Sequence, residues 1–219
     1  MIEIGLKHAL IIALFGMVAC AGNTEGAKNA SSAQDKDKLF SSESGYISYE
    51  LKGMQKGTEI LYWDDWGNKQ RKETEVKIEM MGFSQTQNSI TLTLGDIVYA
   101  IDEEKNTATK MKNDFLGDAS NQEKREFGYR FMEEMGGKKV GEEQLLGKTC
   151  EKWTIPDMYS TVYYWKTYLM KSETDMMGMK QIVTATEIKL DASVEKGKFD
   201  ISSYSIKDLG SVQDYLNRN

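Results

Sequence analysis

Histidine is almost missing from this 219-residue chain: the single one is His8, inside an apolar N-terminal stretch. Whatever lies beyond that stretch therefore lacks the imidazole that Ser-His-Asp and Cys-His catalysis need and that zinc and iron sites commonly use. Cysteine is nearly as scarce, with only Cys20 and Cys150. There is one proline, Pro156, and neither a GxxxxGK[ST] loop nor a strand-borne GxGxxG. An excess of positive charge is also missing. Lys and Arg number 28 against 34 Asp and Glu, for a net charge of −6, with the signs interspersed. Nucleic-acid binding rests on concentrated positive charge and is excluded on that ground.

The chemistry left open runs on carboxylate pairs, Ser-Lys pairs, or Lys and Tyr alone. Asp64 and Asp65 are adjacent, so on a strand they point to opposite faces and cannot form the facing carboxyl pair of a glycosidase, about 5 to 9 Å apart. Asp102, Glu103 and Glu104 fall in a turn and read as solvated. The chain is expected to be no enzyme, to need no cofactor and to hold no metal.

No hydrophobic run is long enough to cross a membrane as a helix. The apolar stretch from Ala9 to Val18 has about half the length that a bilayer core of roughly 30 Å requires. It has the build of a signal-peptide core. The Met17-Val18-Ala19-Cys20 segment behind it resembles a bacterial lipobox, with Met in place of the usual Leu. That resemblance implies cleavage before Cys20 and acylation of Cys20. It also implies a membrane-anchored lipoprotein of the bacterial envelope. Ala21, rather than Asp, follows the cysteine, which by the enteric sorting rule implies the outer membrane, periplasmic face. Residues 1–19 then form the signal peptide. Residues 20–44 are small and polar and read as a tether. Residues 45–219 form one domain with a substantial core.

Within that domain, two-residue alternation dominates. GYISYELKG, TEILYWDD, KQRKETEVKIEMMGF, and SITLTL and IVYAID on either side of a Gly95-Asp96 turn all alternate apolar and polar residues. Each predicts a strand with one wet and one buried face. NTATKMK, LLGKTCEKWTI, STVYYWKTYLMKS and QIVTATEIKLD continue the series. One segment breaks it. NQEKREFGYRFMEEMGG places Phe127, Phe131 and Met135 four residues apart ahead of a Gly pair, which predicts an amphipathic helix with Asn121 as N-cap. The fold class is thus mostly β with one or two α-helices. A single helix cannot cover so wide an antiparallel sheet, so the sheet must curl.

This organisation, together with phrases such as GTEILYWDDWGNKQRKE and LGKTCEKWTI followed by YYWKTYLM, resembles the LolA-like superfamily of periplasmic lipoprotein carriers and lipid-binding half-barrel lipoproteins. The resemblance implies a curved antiparallel sheet forming an unclosed half-barrel lidded by a helix, with acyl chains held in the concavity. The expected lining is Leu61, Trp63, Ile78, Met80, Leu92, Leu94, Tyr99, Ile101, Trp153, Trp165 and Ile182, with Phe127, Phe131 and Met135 above. The same residues could instead pack together as a dry core. The expected partners are a lipid or acyl chain, the membrane through the anchor, and another envelope protein. An alternative is a carbohydrate- or protein-binding assembly module that uses surface aromatics, Trp66 and the Tyr163-Tyr164-Trp165-Tyr168 run. DMMGMK, residues 175–180, has the thioethers of a copper(I) motif and also the Gly of a plain turn.

Overall fold

The computed structural model describes residues 38–80, 83–114 and 119–214. The signal-peptide segment, Cys20, Ala21 and the first part of the tether lie outside the described residues.

Twelve strands form one sheet. They are β1 (Gly45–Gly53), β2 (Gln55–Asp64), β3 (Lys69–Met80), β4 (Phe83–Leu94), β5 (Ile97–Asp102), β6 (Thr107–Lys112), β7 (Lys138–Leu145), β8 (Lys148–Ile155), β9 (Ser160–Trp165), β10 (Tyr168–Met176), β11 (Met179–Leu190) and β12 (Ser205–Ser211). Their order across the sheet is β12-β6-β5-β4-β3-β2-β1-β11-β10-β9-β8-β7. The chain runs outward from β1 in a meander, returns to build the other half, and closes on β1 through β11. The sheet is curved and does not close, which leaves β12 and β7 as edges. All neighbouring strands are antiparallel except β12 and β6. The expected mostly-β half-barrel is the fold observed.

The strands form where alternation places them, and the register shows which residues share a face. In β1, Ile47, Tyr49 and Leu51 are buried, while Glu50 and Lys52 are exposed. Leu61 lies opposite Ile47, and Trp63 opposite Gly45. Val76 and Ile78 of β3 stand on the same side by way of Gly57 and Gln55. From β11, Ile188 and Val183 join them, opposite Ile47 and Leu51.

The helix that follows β6 is α1 (Asn121–Glu134). Its cap is Ser120, one residue earlier than the expected Asn121. Ser120 Oγ accepts from the Glu123 N–H while the Glu123 carboxylate accepts from the Ser120 N–H. This reciprocal box satisfies two donors that a helix start otherwise leaves unpaired. Asn121 does something else: its amide donates to Asn68 Oδ1 in the β2–β3 turn, at 2.9 Å. At the far end Gly136 lies against Pro156 and Asp157 in the β8–β9 turn. The helix, about 20 Å long, therefore crosses the sheet from one end to the other. Beneath it, Met132 is fully buried against Ile155, Val162 and Tyr164, with Tyr129, Met135, Trp153 and Leu169 packed around them. Val162 pairs with Ser172, Ser172 with Val183, and Val183 with Leu51. The helix thus sits on the face that carries Leu51 and Trp63.

The opposite face is covered by the crossover from β11 to β12, residues 191–204. Phe199, Val194, Ile201 and Tyr204 of this strap pack on Leu92, Tyr99, Ile101 and Ala108. Arg71, almost wholly buried, fastens it. Its guanidinium donates to Glu73 at 2.6 Å, to Glu103 at 3.0 Å and to the Lys198 carbonyl at 3.3 Å.

One bound shifts here, and one strand appears in a segment to which the sequence reading assigned no element. Residues 39–44 are built into the domain rather than belonging to a tether: Phe40 and Ser42 are each 3% exposed. Lys138–Leu145 is a strand, although nearly all of it is exposed and it carries no clear alternation.

Candidate ligand-binding face

The residues expected to line one cavity fall into separate groups. Leu61, Trp63 and Ile78 stand on the helix face in one cluster, together with Tyr49, Leu51 and Val183. Trp153 and Met135 belong to the cluster directly under α1. Leu92, Leu94, Tyr99 and Ile101 lie on the other side of the sheet, beneath the strap. The register shows why. Arg71 pairs with both Tyr62 and Leu92, and Tyr62 is the chain neighbour of Trp63. Adjacent residues on a strand face opposite ways, so Leu92 and Trp63 are on opposite faces. The apolar side of the sheet changes between β3 and β4. On the helix face, β4 offers Gln87, Ser89, Thr91 and Thr93. Ile182 also points away from the helix, because Val183 is the residue that shares its face with Leu51. The Met80 side chain, also expected in the lining, lies outside the described part of the structure.

Trp63 is no open wall. It is 0% exposed. Its ring meets Phe40 edge-on at 5.3 Å and Tyr168 at 5.2 Å, and its Nε1–H donates to the Ser42 carbonyl at 3.3 Å. The Tyr168 hydroxyl in turn accepts from the Ser42 N–H at 3.1 Å. Trp63 pins the entering chain to one end of the sheet. Trp66 follows it in a left-handed turn, with φ +55°, half-buried, and the Lys38 ammonium lies 3.8 Å from its ring centroid.

What the helix leaves uncovered is more informative. Phe127 and Phe131 stack at 6.1 Å and are both only half-buried. The buried helix positions are instead Gly128 and Met132. A Cβ at Gly128 would meet no described atom within 4 Å, so the buried stripe of the helix keeps open space at that position. On the sheet, Leu61, Ile78 and Val183 are half-buried beside the closed cluster. Tyr49 lies beneath, its hydroxyl donating to the Leu169 carbonyl at 3.0 Å and its pKa pushed well above the usual tyrosine range by burial. A band of apolar side chains thus remains partly accessible on the helix face, beside a half-buried Lys72–Glu59 ion pair at 3.8 Å that lies opposite Leu61 and Tyr49. Tyr163, Tyr164 and Tyr168, read from the sequence as surface aromatics, are instead buried at 2%, 2% and 1% exposure, and Phe40 and Met132, which sequence reasoning left out of the site, are buried as well.

DMMGMK forms the tip of the β10–β11 hairpin, where Met176 pairs with Met179 and Met177 is fully exposed. Among the described residues, no three of His, Cys, Asp and Glu are grouped as metal ligands. No helix among them is long and apolar enough to cross a membrane.

No family model matches this chain, and no curated protein matches it in sequence. Solved structures do. An uncharacterized conserved protein from Thermus thermophilus superposes with a TM-score of 0.50 at 10% identity, covering 80% of this chain and 96% of its own. LprF from Mycobacterium bovis matches with a TM-score of 0.36 at 9% identity, over 74% of this chain and 93% of its own. A LolA superfamily protein from Nitrosomonas europaea matches with a TM-score of 0.24 at 10% identity, over 78% and 98%. The likeness to the Thermus protein is one of fold alone.

Proposed function

We propose that this chain is a lipid-anchored protein of the bacterial envelope. It binds an apolar ligand of the acyl-chain class between α1 and the curved sheet, without catalysis. The observation that carries the reading is that Leu61, Ile78 and Val183 are half-buried on the helix face, while the stacked Phe127 and Phe131 are half-buried on a helix that covers only part of a twelve-stranded sheet. Apolar side chains left half-exposed gain about 25 cal/mol per Å² when a ligand covers them. Methionine adds adaptability at Met132 and Met135, since its unbranched thioether fills irregular gaps. Cys20 carries the acyl anchor and holds the domain at the outer membrane. The residues beneath the strap, Leu92, Leu94, Tyr99 and Ile101, have a structural role in this reading.

The test uses the full chain purified from an envelope fraction. Native mass spectrometry and organic extraction should recover a bound lipid. A fluorescent apolar probe should bind and be displaced by a long-chain fatty acid. A lipid-free protein that leaves the probe unbound would rule the reading out.

A further inference from the structure

At the end of the domain where residues 38–44 enter, the β7–β10 side carries lysines on aromatic rings, apart from the acidic Asp64-Asp65 and Asp96 turns of the β2–β5 side. Leu39 and Phe40 donate their N–H groups to the Trp66 carbonyl, and Ser42 reaches Tyr168. The entering segment therefore runs across this end from the β2–β3 turn to the β9–β10 hairpin. Tyr168 stacks on Trp165 at 5.9 Å. Two ammonium groups stand at the Trp165 ring, Lys148 Nζ at 4.6 Å and Lys166 Nζ at 5.0 Å. Lys152 and Lys171 stand at Tyr163, at 5.3 and 4.9 Å. Lys171 is neutralised by Glu173 at 2.9 Å. Lys148, Lys152 and Lys166 have no carboxylate within 4.0 Å among the described residues. Next to Lys148, Leu146 is 45% exposed at the tip of the β7–β8 turn.

Bulky residues with positive φ stand at hairpin tips of this end, as Met177 does at the opposite end with φ +55°. Leu146 has φ +49° and Lys166 φ +54°. Two-residue hairpin turns that need positive φ ordinarily take Asn, Asp or Gly, and a bulky side chain held there is strained. At these two tips an apolar and a cationic side chain stand in their place. Both turns sit beside the segment that leads back toward Cys20.

We propose that this end, built from Trp165, Lys148, Lys152, Lys166 and Leu146, is the membrane-docking surface of the protein and binds the anionic headgroups of a phospholipid bilayer. The assignment rests on the anchor reading, because the chain leading from Cys20 enters the described domain at this end, at residues 38–44. Indole and aliphatic side chains partition to the interface, where lysine stems can lie along the apolar layer with their ammonium groups among phosphates. The cations run against the net charge of the chain, −6, which leaves a localised attraction to an anionic surface. The opposite end, with Met177 and its hairpin, then faces away from that bilayer.

The experiment compares the full chain on vesicles of phosphatidylcholine alone with vesicles of three parts phosphatidylcholine to one part phosphatidylglycerol. The readouts are partition and amide hydrogen exchange. The expected result is protection of residues 146–148 and 165–167 on the anionic vesicles only, removed by salt at about 0.5 M, where the Debye length falls to roughly 4 Å. The double substitution Lys148→Gln/Lys166→Gln should weaken the anionic part of the partition about thirtyfold, at about fivefold per lysine, with its melting temperature unchanged. Unchanged partition in that variant, equal protection on neutral vesicles, or protection at the Met177 hairpin instead would overturn the proposal. So would protection by a soluble acidic polysaccharide without protection by vesicles. A missing acyl mass at Cys20 would overturn the anchor reading, while the vesicle comparison still decides the surface.

Discussion

The Trp63 ring lies directly over Gly45. A Cβ at position 45 would stand 2.6 Å from Trp63 Cζ2 and would also collide with the Lys189 carbonyl. The glycine that opens β1 is thus the floor on which the buried indole rests, with Phe40 and Tyr168 enclosing it.

Gly45→Ala should therefore destabilise the fold by roughly 2 to 3 kcal/mol through overpacking. The backbone at Lys189 cannot yield as a flexible side chain could. Chemical denaturation checks this, and a midpoint within error of the parent would show that Trp63 has room to move. Gly95→Ala is the control for lost glycine freedom, since no atom lies within 4 Å of that Cβ.

The strap over the second face predicts a pH dependence. Burial raises the Glu73 carboxyl, but hydrogen bonds from Lys198 and Arg71 outweigh it, and the group titrates below its ordinary range. A carboxylate with a lowered folded-state pKa contributes stability that is complete above its unfolded value, near 4.3. That stability is lost as pH falls through the folded value. Urea midpoints of the parent should thus fall below about pH 4, and those of Glu73→Gln should fall less steeply. Identical slopes would remove Glu73 from the account. Arg71→Met should cost about 1 to 3 kcal/mol at neutral pH, because Glu73 keeps Lys198 as partner at 2.9 Å.

Strand positions were largely legible in the sequence, and faces were not. GYISYELKG alternates, and β1 covers those same nine residues. Alternation says that the two sides of a strand differ. It does not say which side meets the helix, and the switch between β3 and β4 is set by register, through Arg71 pairing with Leu92. The four-residue spacing of Phe127 and Phe131 was visible too. The helix instead buries the stripe with Gly128 and Met132, because Met132 is the side chain that fits against Ile155, Val162 and Tyr164. Ser120 and Glu123 form a capping box that the sequence displays three residues apart. β7 could not be read, because a nearly fully exposed edge strand has no apolar face to alternate. Phe40 was hidden for the opposite reason, as a single aromatic in a polar tract.

Ser120→Ala should lower stability by about 1 kcal/mol, the usual cost of removing an N-cap. Asn121→Ala should spare the cap and release the contact with Asn68 instead. Hydrogen exchange separates the two, since the cap change exposes the first-turn amides of α1. Equal fraying in both variants would contradict the cap assignment.

Cys150 should be chemically silent in the folded protein. It is fully buried, and burial raises its thiol pKa, which removes the thiolate that does the attacking. A disulfide reagent at pH 8 should label it only after unfolding. Rapid labelling of the native chain would mean that the strands around Cys150 open far more readily than their packing implies.

Met132 and Phe131 are chain neighbours with opposite expected phenotypes. Met132 is 0% exposed under the helix, so Met132→Ala leaves a cavity and should cost about 2 to 5 kcal/mol. It should loosen α1 and weaken ligand binding only as a consequence of that loosening. Phe131 is half-buried and stacks on Phe127. Phe131→Ala should cost little stability and should weaken apolar-probe binding several-fold, because the ring lost is one a ligand would cover. Denaturation and probe titration on the two variants decide it. If Phe131→Ala unfolds the chain as readily as Met132→Ala and leaves probe affinity intact, the half-buried phenylalanines belong to the core, and the ligand site must be sought elsewhere on the helix face.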